Sequence, residues 1–360
     1  MASSLHAEQK MKSFLLAVVQ QDASDLHLVV GRHPTIRIDG KLVPLLEEEI
    51  LTEEKTKELS KILLTENHEK ELLDEGQVNF SYDFEGKARF RTSVFFQQGH
   101  LSVAMRLIQS KIRSLEELNI NPGLYDFTKY SQGLVLVTGP VGHGKSTTLA
   151  AIIDHINHTQ DKHILTIEDP IEYVYQQDRC LINQREVGSD SKNFSEALRG
   201  IFREDVNVLL IGEMRDLDTI GTAMTAAETG HLIFATLHTN SGAQTVDRIV
   251  DVFPSHQQNQ IRAQLANVLL GVISQRLIPK IGGGRAVSME IMIKNHAVAN
   301  LIRENRSFQI DSVIETSLKE GMISMDRSLS QLVKEGIISV EDAFVYTNNR
   351  EYLKTIIKNK

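Results

Sequence analysis

Residues 133–146 read Gly133-Leu134-Val135-Leu136-Val137-Thr138-Gly139-Pro140-Val141-Gly142-His143-Gly144-Lys145-Ser146, and they decide the fold. Residues 134–138 form a short apolar run bounded by glycine, the pattern of a strand buried on both faces of a parallel sheet. The next eight residues fit G-x-x-x-x-G-K-[ST], a phosphate-binding loop between strand and helix. Its glycines let the backbone curl so that N–H groups converge on phosphate oxygens. The helix predicted over 147–156 adds the positive end of its dipole. Gly139, Pro140, Val141, Gly142, His143, Gly144, Lys145, Ser146 and Thr147 are therefore the expected nucleotide-binding residues. Lys145 is expected to reach the β- and γ-phosphates and Ser146 to ligate Mg²⁺.

Working outward, apolar runs at 164–167, 208–211 and 232–236 alternate with helical stretches, as a parallel sheet requires. Pro279 and Gly282-Gly283-Gly284 interrupt the pattern before a strand-like stretch at 287–293. From about His296 the chain reads as helical, with a capping pattern at Ser339 and Asp342. Upstream, residues 6–20, with Leu5 just before them, space Phe14, Leu15, Val18 and Val19 roughly as one helical face. Two short strands follow, Leu26 to Val30 alternating and then Ile36 and Ile38 with Arg37 and Asp39. Thr52-Glu53-Glu54 starts a helix running to about Leu73. Strands at 78–84, 88–96 and 101–108 complete a small α+β domain. The boundary reads near Ser110 to Gly123, and the expected division is an N-terminal domain over 1–112, a linker over 113–123, an α/β core over 124–295 and a helical region over 296–360.

Composition narrows the class. The chain has 360 residues, 41% hydrophobic and 24% charged, with 39 basic against 47 acidic side chains and a net charge of −8. This is ordinary for a globular protein and poorly suited to nucleic acid, where affinity comes largely from neutralised phosphates. The single Cys180 can form neither an internal disulfide nor a four-thiolate zinc site. No apolar run approaches the roughly 20 residues that cross a bilayer. A cytoplasmic protein without a transmembrane segment is the expectation.

Hydrolysis of a nucleotide needs one carboxylate for the metal shell and another for water, both at carboxyl ends of neighbouring strands. Glu168-Asp169 closes the run at 164–167, and Pro170 stops its continuation. Glu213 follows the run at 208–211 through Gly212, which resembles a Walker B segment with Glu for Asp. His231 and His238 flank the run at 232–236. They lie seven residues apart, about 23 Å in an extended strand, so they cannot share one metal through it. Read as bare residues, each is more often a packed or capping histidine than a catalytic one, but His238 falls at the strand end where a γ-phosphate can be sensed.

These segments occur in a familiar order. The phosphate loop, Ile164-Leu165-Thr166-Ile167-Glu168-Asp169-Pro170-Ile171-Glu172, Ile211-Gly212-Glu213-Met214-Arg215-Asp216 and residues 229–238 resemble the Walker A, Asp box, Walker B and His box of the secretion ATPases. Within that superfamily the chain is similar to the retraction ATPases of type IV pili. The strand before the loop begins early, zinc-site cysteines are absent, and Ala297-Val298-Ala299-Asn300-Leu301-Ile302-Arg303-Glu304 resembles a retraction-associated segment. The chain departs from the family pattern at Val141 and His143, where Thr and Ser are usual, at Ala299, which replaces an arginine, and at Val206-Asn207.

The resemblance implies a PAS-like N-terminal domain, a RecA-like core and a ring-shaped homohexamer that hydrolyses ATP with Mg²⁺. It implies Glu168 as the base for water, Glu213 as the Walker B acid holding Mg²⁺ through water, and His231 with His238 as the His box. Arg91 and Arg106 match arginines that act on a neighbour's nucleotide; Arg203 is a further candidate. The implied partner is an inner-membrane pilus platform protein, with the pilin machinery engaged indirectly. The ATPase would then sit at the inner membrane peripherally, through that partner. An accessory retraction or secretion motor and a non-hydrolysing nucleotide-dependent ring stay open, the latter opposed by the intact Glu168 and Glu213.

Overall fold

The computed structural model describes residues 2–38, 40–108 and 111–358, without the side chains of residues 2–5. Asp39, Ser110 and the Leu5 side chain lie outside the described residues. Two compact units divide the chain, one of residues 1–111 with 170–174 and one of residues 112–169 with 175–360.

In the smaller unit, α1 (Ala2–Gln20) buries Ala7, Met11, Phe14, Leu15 and Val18, one stripe at helical spacing. The strands β1 (Asp25–Leu28), β2 (Thr35–Ile38) and β3 (Lys41–Pro44) precede α2 (Glu53–Leu63) and α3 (Glu66–Glu75). The helix expected as far as Leu73 is thus two helices. Leu64 is extended, and Thr65 caps a new start by accepting the His68 N–H. Val30 falls in a turn beyond β1, and the fully exposed β3 lacked any buried face to announce it. Strands β4 (Gln77–Phe84), β5 (Ala88–Gln97) and β6 (His100–Ile108) complete an antiparallel sheet ordered β3-β2-β1-β6-β5-β4. Its register lines up Arg37, Asp25, Arg106 and Arg91 across four strands.

The larger unit is α/β. Its elements are β7 (Gly133–Thr138), α4 (Lys145–Thr159), β8 (His163–Glu168), β9 (Leu181–Glu186), α5 (Phe194–Gly200), β10 (Val208–Ile211), α6 (Leu217–Glu228) and β11 (Leu232–Leu237). They continue with α7 (Gly242–Asp251), α8 (Gln258–Val268), β12 (Leu269–Pro279) and β13 (Arg285–Ile293). The sheet order is β13-β12-β7-β11-β10-β8-β9, parallel throughout except for the β12–β13 pair. Burial of β7, β10 and β11 is complete along their length, which is why they read as unbroken apolar runs. Neither β9 nor β12 was anticipated. The former carries Asn183, Gln184 and Arg185 at a sheet edge, and the latter interrupts its apolar run with Gly271, Ser274, Gln275 and Arg276.

The C-terminal region is helical as expected: α9 (His296–Arg303), α10 (Ile310–Thr316), α11 (Met325–Lys334), α12 (Val340–Tyr346) and α13 (Arg350–Lys358). Ser339 caps α12 by accepting the Asp342 N–H at 2.9 Å. Met325, Leu329, Ile338, Ala343 and Leu353 pack on Ile278 and Ala286, fastening these helices to β12 and β13. Among the described residues no helix is long and apolar enough to cross a membrane.

Gly271 lets β12 pass beneath Phe127. A Cβ there would lie 2.5 Å from the Phe127 ring and 2.8 Å from the Met292 carbonyl oxygen. Gly271→Ala is expected to cost about 1–3 kcal/mol of stability through overpacking, read as a lower denaturant midpoint; an unchanged midpoint would mean that Phe127 moves aside freely.

Candidate active site

The phosphate loop leaves β7 at Thr138 and turns through three left-handed glycines, Gly139 at φ +139°, Gly142 at +78° and Gly144 at +81°. At Gly139 the requirement is also steric, since a Cβ would sit 2.4 Å from the Gln275 carbonyl oxygen. Val141 is highly exposed, so the loop there acts through its backbone. The buried Lys145 folds its Nζ back to donate to the carbonyls of Gly139 at 2.8 Å and Pro140 at 3.0 Å, and lies 3.3 Å from Nδ1 of His238. A curled loop with glycines where side chains cannot fit, closing on a lysine, suits a phosphate chain. Ser146 and Thr147 open α4 beside Lys145.

Sheet order assembles the rest. β11 lies between β7 and β10, so His238, just past the end of β11, falls between the loop and Glu213. Its Nε2 is 3.1 Å from Glu213 Oε1. One ring nitrogen thus faces the Lys145 ammonium and the other the Glu213 carboxylate. Arg215 donates from Nε to the same Glu213 oxygen at 2.6 Å. Burial alone would lift the Glu213 carboxyl, but Arg215 and His238 outweigh it and hold its pKa below the usual carboxylate value.

Glu168 ends β8, the next strand. The Gly212 N–H donates to the Ile167 carbonyl at 2.8 Å, and a Cβ on Gly212 would stand 3.2 Å from Glu168 Cα. Glycine at 212 thus permits the close approach of the two acid-bearing strand ends. Glu168 is buried and accepts the Thr166 hydroxyl at 2.6 Å and the Gln184 amide at 3.5 Å.

The other expected residues lie elsewhere. His231 is not brought to the loop: it precedes β11, at the amino end of the sheet, where its Nδ1 faces the Ala226 carbonyl at 3.1 Å and its ring meets Phe202 edge-on. A strand pins its two flanking residues at opposite ends, so His231 and His238 stand apart. Arg203, itself exposed, closes a 3₁₀ turn ahead of β10. In the smaller unit, Arg106 Nε donates to Asp25 at 2.9 Å, and Arg91 lies 3.7 Å from Glu172. Sequence reasoning missed Thr166, Gln184, Arg215 and Gln275; for Gln275 the signal was a polar triplet, Ser274-Gln275-Arg276, inside an apolar run.

With this geometry in view, residues 2–336 match the family described as Type II/IV secretion system protein. The chain belongs to that family. It is 48% identical over 329 residues to the "Type IV pilus retractation ATPase PilT" of Pseudomonas aeruginosa, covering 90% of this chain and 94% of that one. Identity to a "Twitching motility protein" of Neisseria gonorrhoeae is 46% over 320 residues, covering 88% and 85%. A crystal structure of the pilus retraction motor PilT with bound ADP superposes at a TM-score of 0.90 with 44% identity, covering 96% of this chain and 98% of that one.

One buried acid of this secretion-family chain stands behind the site. Glu290 on β13 accepts the Gly242 N–H at 2.8 Å, holding the start of α7 just after the His238 segment. Burial raises its pKa to about 7, with Asp311 and Asp326 adding to the rise and the Gly242 N–H and Arg276 opposing it. A folded pKa above the unfolded one favours the protonated form, so this contribution is fully present below about 4.5 and is lost as pH rises through about 7. Glu290→Gln keeps the acceptor and removes the charging cost. It is expected to stabilise the protein at pH 8 relative to wild type by on the order of 3 kcal/mol, and to do little at pH 4.5, as urea unfolding at the two pH values would measure.

Proposed function

We propose that this secretion-family chain is an ATPase that powers retraction of type IV pili, assembled as a homohexamer in which hydrolysis becomes domain motion. The observation that carries the reading is the contact series Lys145, His238, Glu213 at the carboxyl ends of adjacent strands, with Glu168 on the next strand. The similarity to PilT over nine-tenths of the chain supports the same output.

The loop from Gly139 to Thr147 binds the triphosphate of ATP, and Lys145 exchanges its two carbonyl partners for phosphate oxygens, which carry charge and are stronger acceptors. Ser146 and Glu213 offer the hard oxygens that suit Mg²⁺, a cation that keeps several waters and takes few protein ligands. When bound, Mg²⁺ neutralises charge on the phosphates. Glu168, oriented by Thr166, accepts a proton from the attacking water as the bond to the γ-phosphorus breaks on the ADP side. His238, touching both Lys145 and Glu213, reports whether a γ-phosphate is present. Arg91 and Arg106 supply positive charge to a neighbouring subunit's nucleotide, so an interface that depends on the γ-phosphate closes with ATP and reopens after release. The output is delivered to an inner-membrane platform protein, placing the ring at the cytoplasmic face of that membrane.

Glu168→Gln is expected to retain ATP binding and ring formation while turnover falls roughly 100-fold or more. Steady-state hydrolysis, nucleotide binding and mass measurement of the assembly check this together with restoration of pilus retraction in a deficient strain, which wild type should give and the variant should not. Undiminished hydrolysis would remove Glu168 from the role of base, and wild-type failure to restore retraction would remove the proposed output.

A further inference from the structure

β12 pairs with β7 as far as Ser274 opposite Thr138, and Thr138 donates its hydroxyl to that of Ser274 at 3.0 Å. Beyond this point β7 has turned into the phosphate loop, and β12 meets the loop instead of a strand. Gln275 is 1% exposed. Its Nε2–H donates to the His143 carbonyl at 2.7 Å, and its Oε1 accepts the Thr148 hydroxyl at 2.7 Å. Two residues on, the Leu277 N–H donates to Nδ1 of His143 at 2.9 Å. Gln275 also shapes the loop by exclusion, because its Nε2 would lie 2.9 Å from a Cβ at Gly144 and its carbonyl oxygen 2.4 Å from one at Gly139.

A trans peptide is planar, with its N–H pointing opposite to its C=O. Drawing the His143 carbonyl toward Gln275 therefore turns the Gly144 N–H away from the Gln275 side chain. Thr148 belongs to the first turn of α4 and donates its own N–H to the Gly144 carbonyl at 3.1 Å. One amide thus grips the last peptide of the loop and the start of the helix together. A glutamine suits this because it offers a donor and an acceptor on one rigid plane. A hydrophobic residue of the same length would leave the His143 carbonyl and the Thr148 hydroxyl without these partners.

We propose that Gln275 is a positioning residue for nucleotide binding, fixing the His143–Gly144 peptide against α4 so that the Gly144 N–H faces the phosphates. This rests on the nucleotide-binding part of the reading above and not on pilus retraction. The test uses the full chain, a fluorescent ADP to measure Kd and steady-state ATP hydrolysis to separate KM from kcat. Gln275→Met is expected to raise Kd for ADP and KM for ATP about tenfold, the scale of leaving a buried polar group unpaired, with kcat at saturating ATP little changed. Thr148→Val is expected to weaken binding in the same direction, Thr148→Ser to restore it, and the Val change to add nothing further once Gln275→Met is present. Wild-type Kd and KM in Gln275→Met, with only its melting temperature or active fraction lowered, would overturn the proposal and leave Gln275 as a packing residue. Should the Met variant not fold, equal Kd for Thr148→Val and Thr148→Ser would overturn it just as well. A wild-type chain that binds no ADP would overturn the nucleotide reading and this inference with it.

Discussion

The absence of a side chain at Gly139 is the condition on which the larger unit's chemistry depends. The Gln275 carbonyl occupies the space a Cβ would need, 2.4 Å away, so the loop can lie against β12 only with glycine there. That contact fixes where the loop leaves the sheet, and the left-handed turns at Gly142 and Gly144 then bring Lys145 back beneath it. The same device recurs two strands over. Gly212 lets β10 lie close against the end of β8, where a Cβ would stand 3.2 Å from Glu168 Cα and press on that strand end. The bare Gly139 is thus required where the loop meets β12, and the bare Gly212 eases the contact between the two acid-bearing strand ends.

Topology supplies the connection between them. Chain order would put the Glu168 strand next after the loop strand, but in the sheet β11 and β10 stand between β7 and β8. A histidine at the end of β11 is consequently the group that can touch both the loop lysine and the Glu213 carboxylate, and His238 does so through opposite ring nitrogens. Imidazole is suited to this because one face accepts while the other donates. One ring thus stands between the loop lysine and the Glu213 carboxylate.

The legible parts of this arrangement were those written locally. Strands buried along their length announce themselves as apolar runs, and β7, β10, β11 and all of β8 after His163 were readable for that reason, as were the acids that follow β8 and β10. The loop was readable because its glycines and Lys145 act through adjacent backbone. By contrast β12 was hidden by Gly271, Ser274 and Gln275, which are buried and polar or small because of partners more than 100 residues away: Phe127, Thr138, His143 and Thr148. The break between α2 and α3 was also missed, although Thr65 before Glu66 repeats the Thr52-Glu53 start; the apolar spacing ran through it and carried the reading past the cap. His231 matched its motif yet lies at the wrong end of its strand, a distinction that sequence order expresses only once the strand direction is known.

The row on the smaller unit's sheet shows a different arrangement, a cation anchored at one nitrogen and otherwise exposed. Asp25 is nearly buried, and burial alone would raise its pKa; Ser24 and Arg106 donating to it reverse that and leave it lowered. It accepts from Arg106 through Nε, while Arg37 Nε stands 3.4 Å from its other oxygen. Yet the Arg106 side chain remains 69% exposed. Guanidinium permits this division because one nitrogen can be anchored while the planar fork beyond it still presents donors, in a plane set by the anchor. Lysine carries its three donors on a single nitrogen, so it lacks a rigid fork whose plane an anchor could set. A buried carboxylate in register between two arginines is thus an economical way to orient positive charge outward, since the ion pair repays the desolvation of Asp25 and the geometry of the sheet fixes its direction.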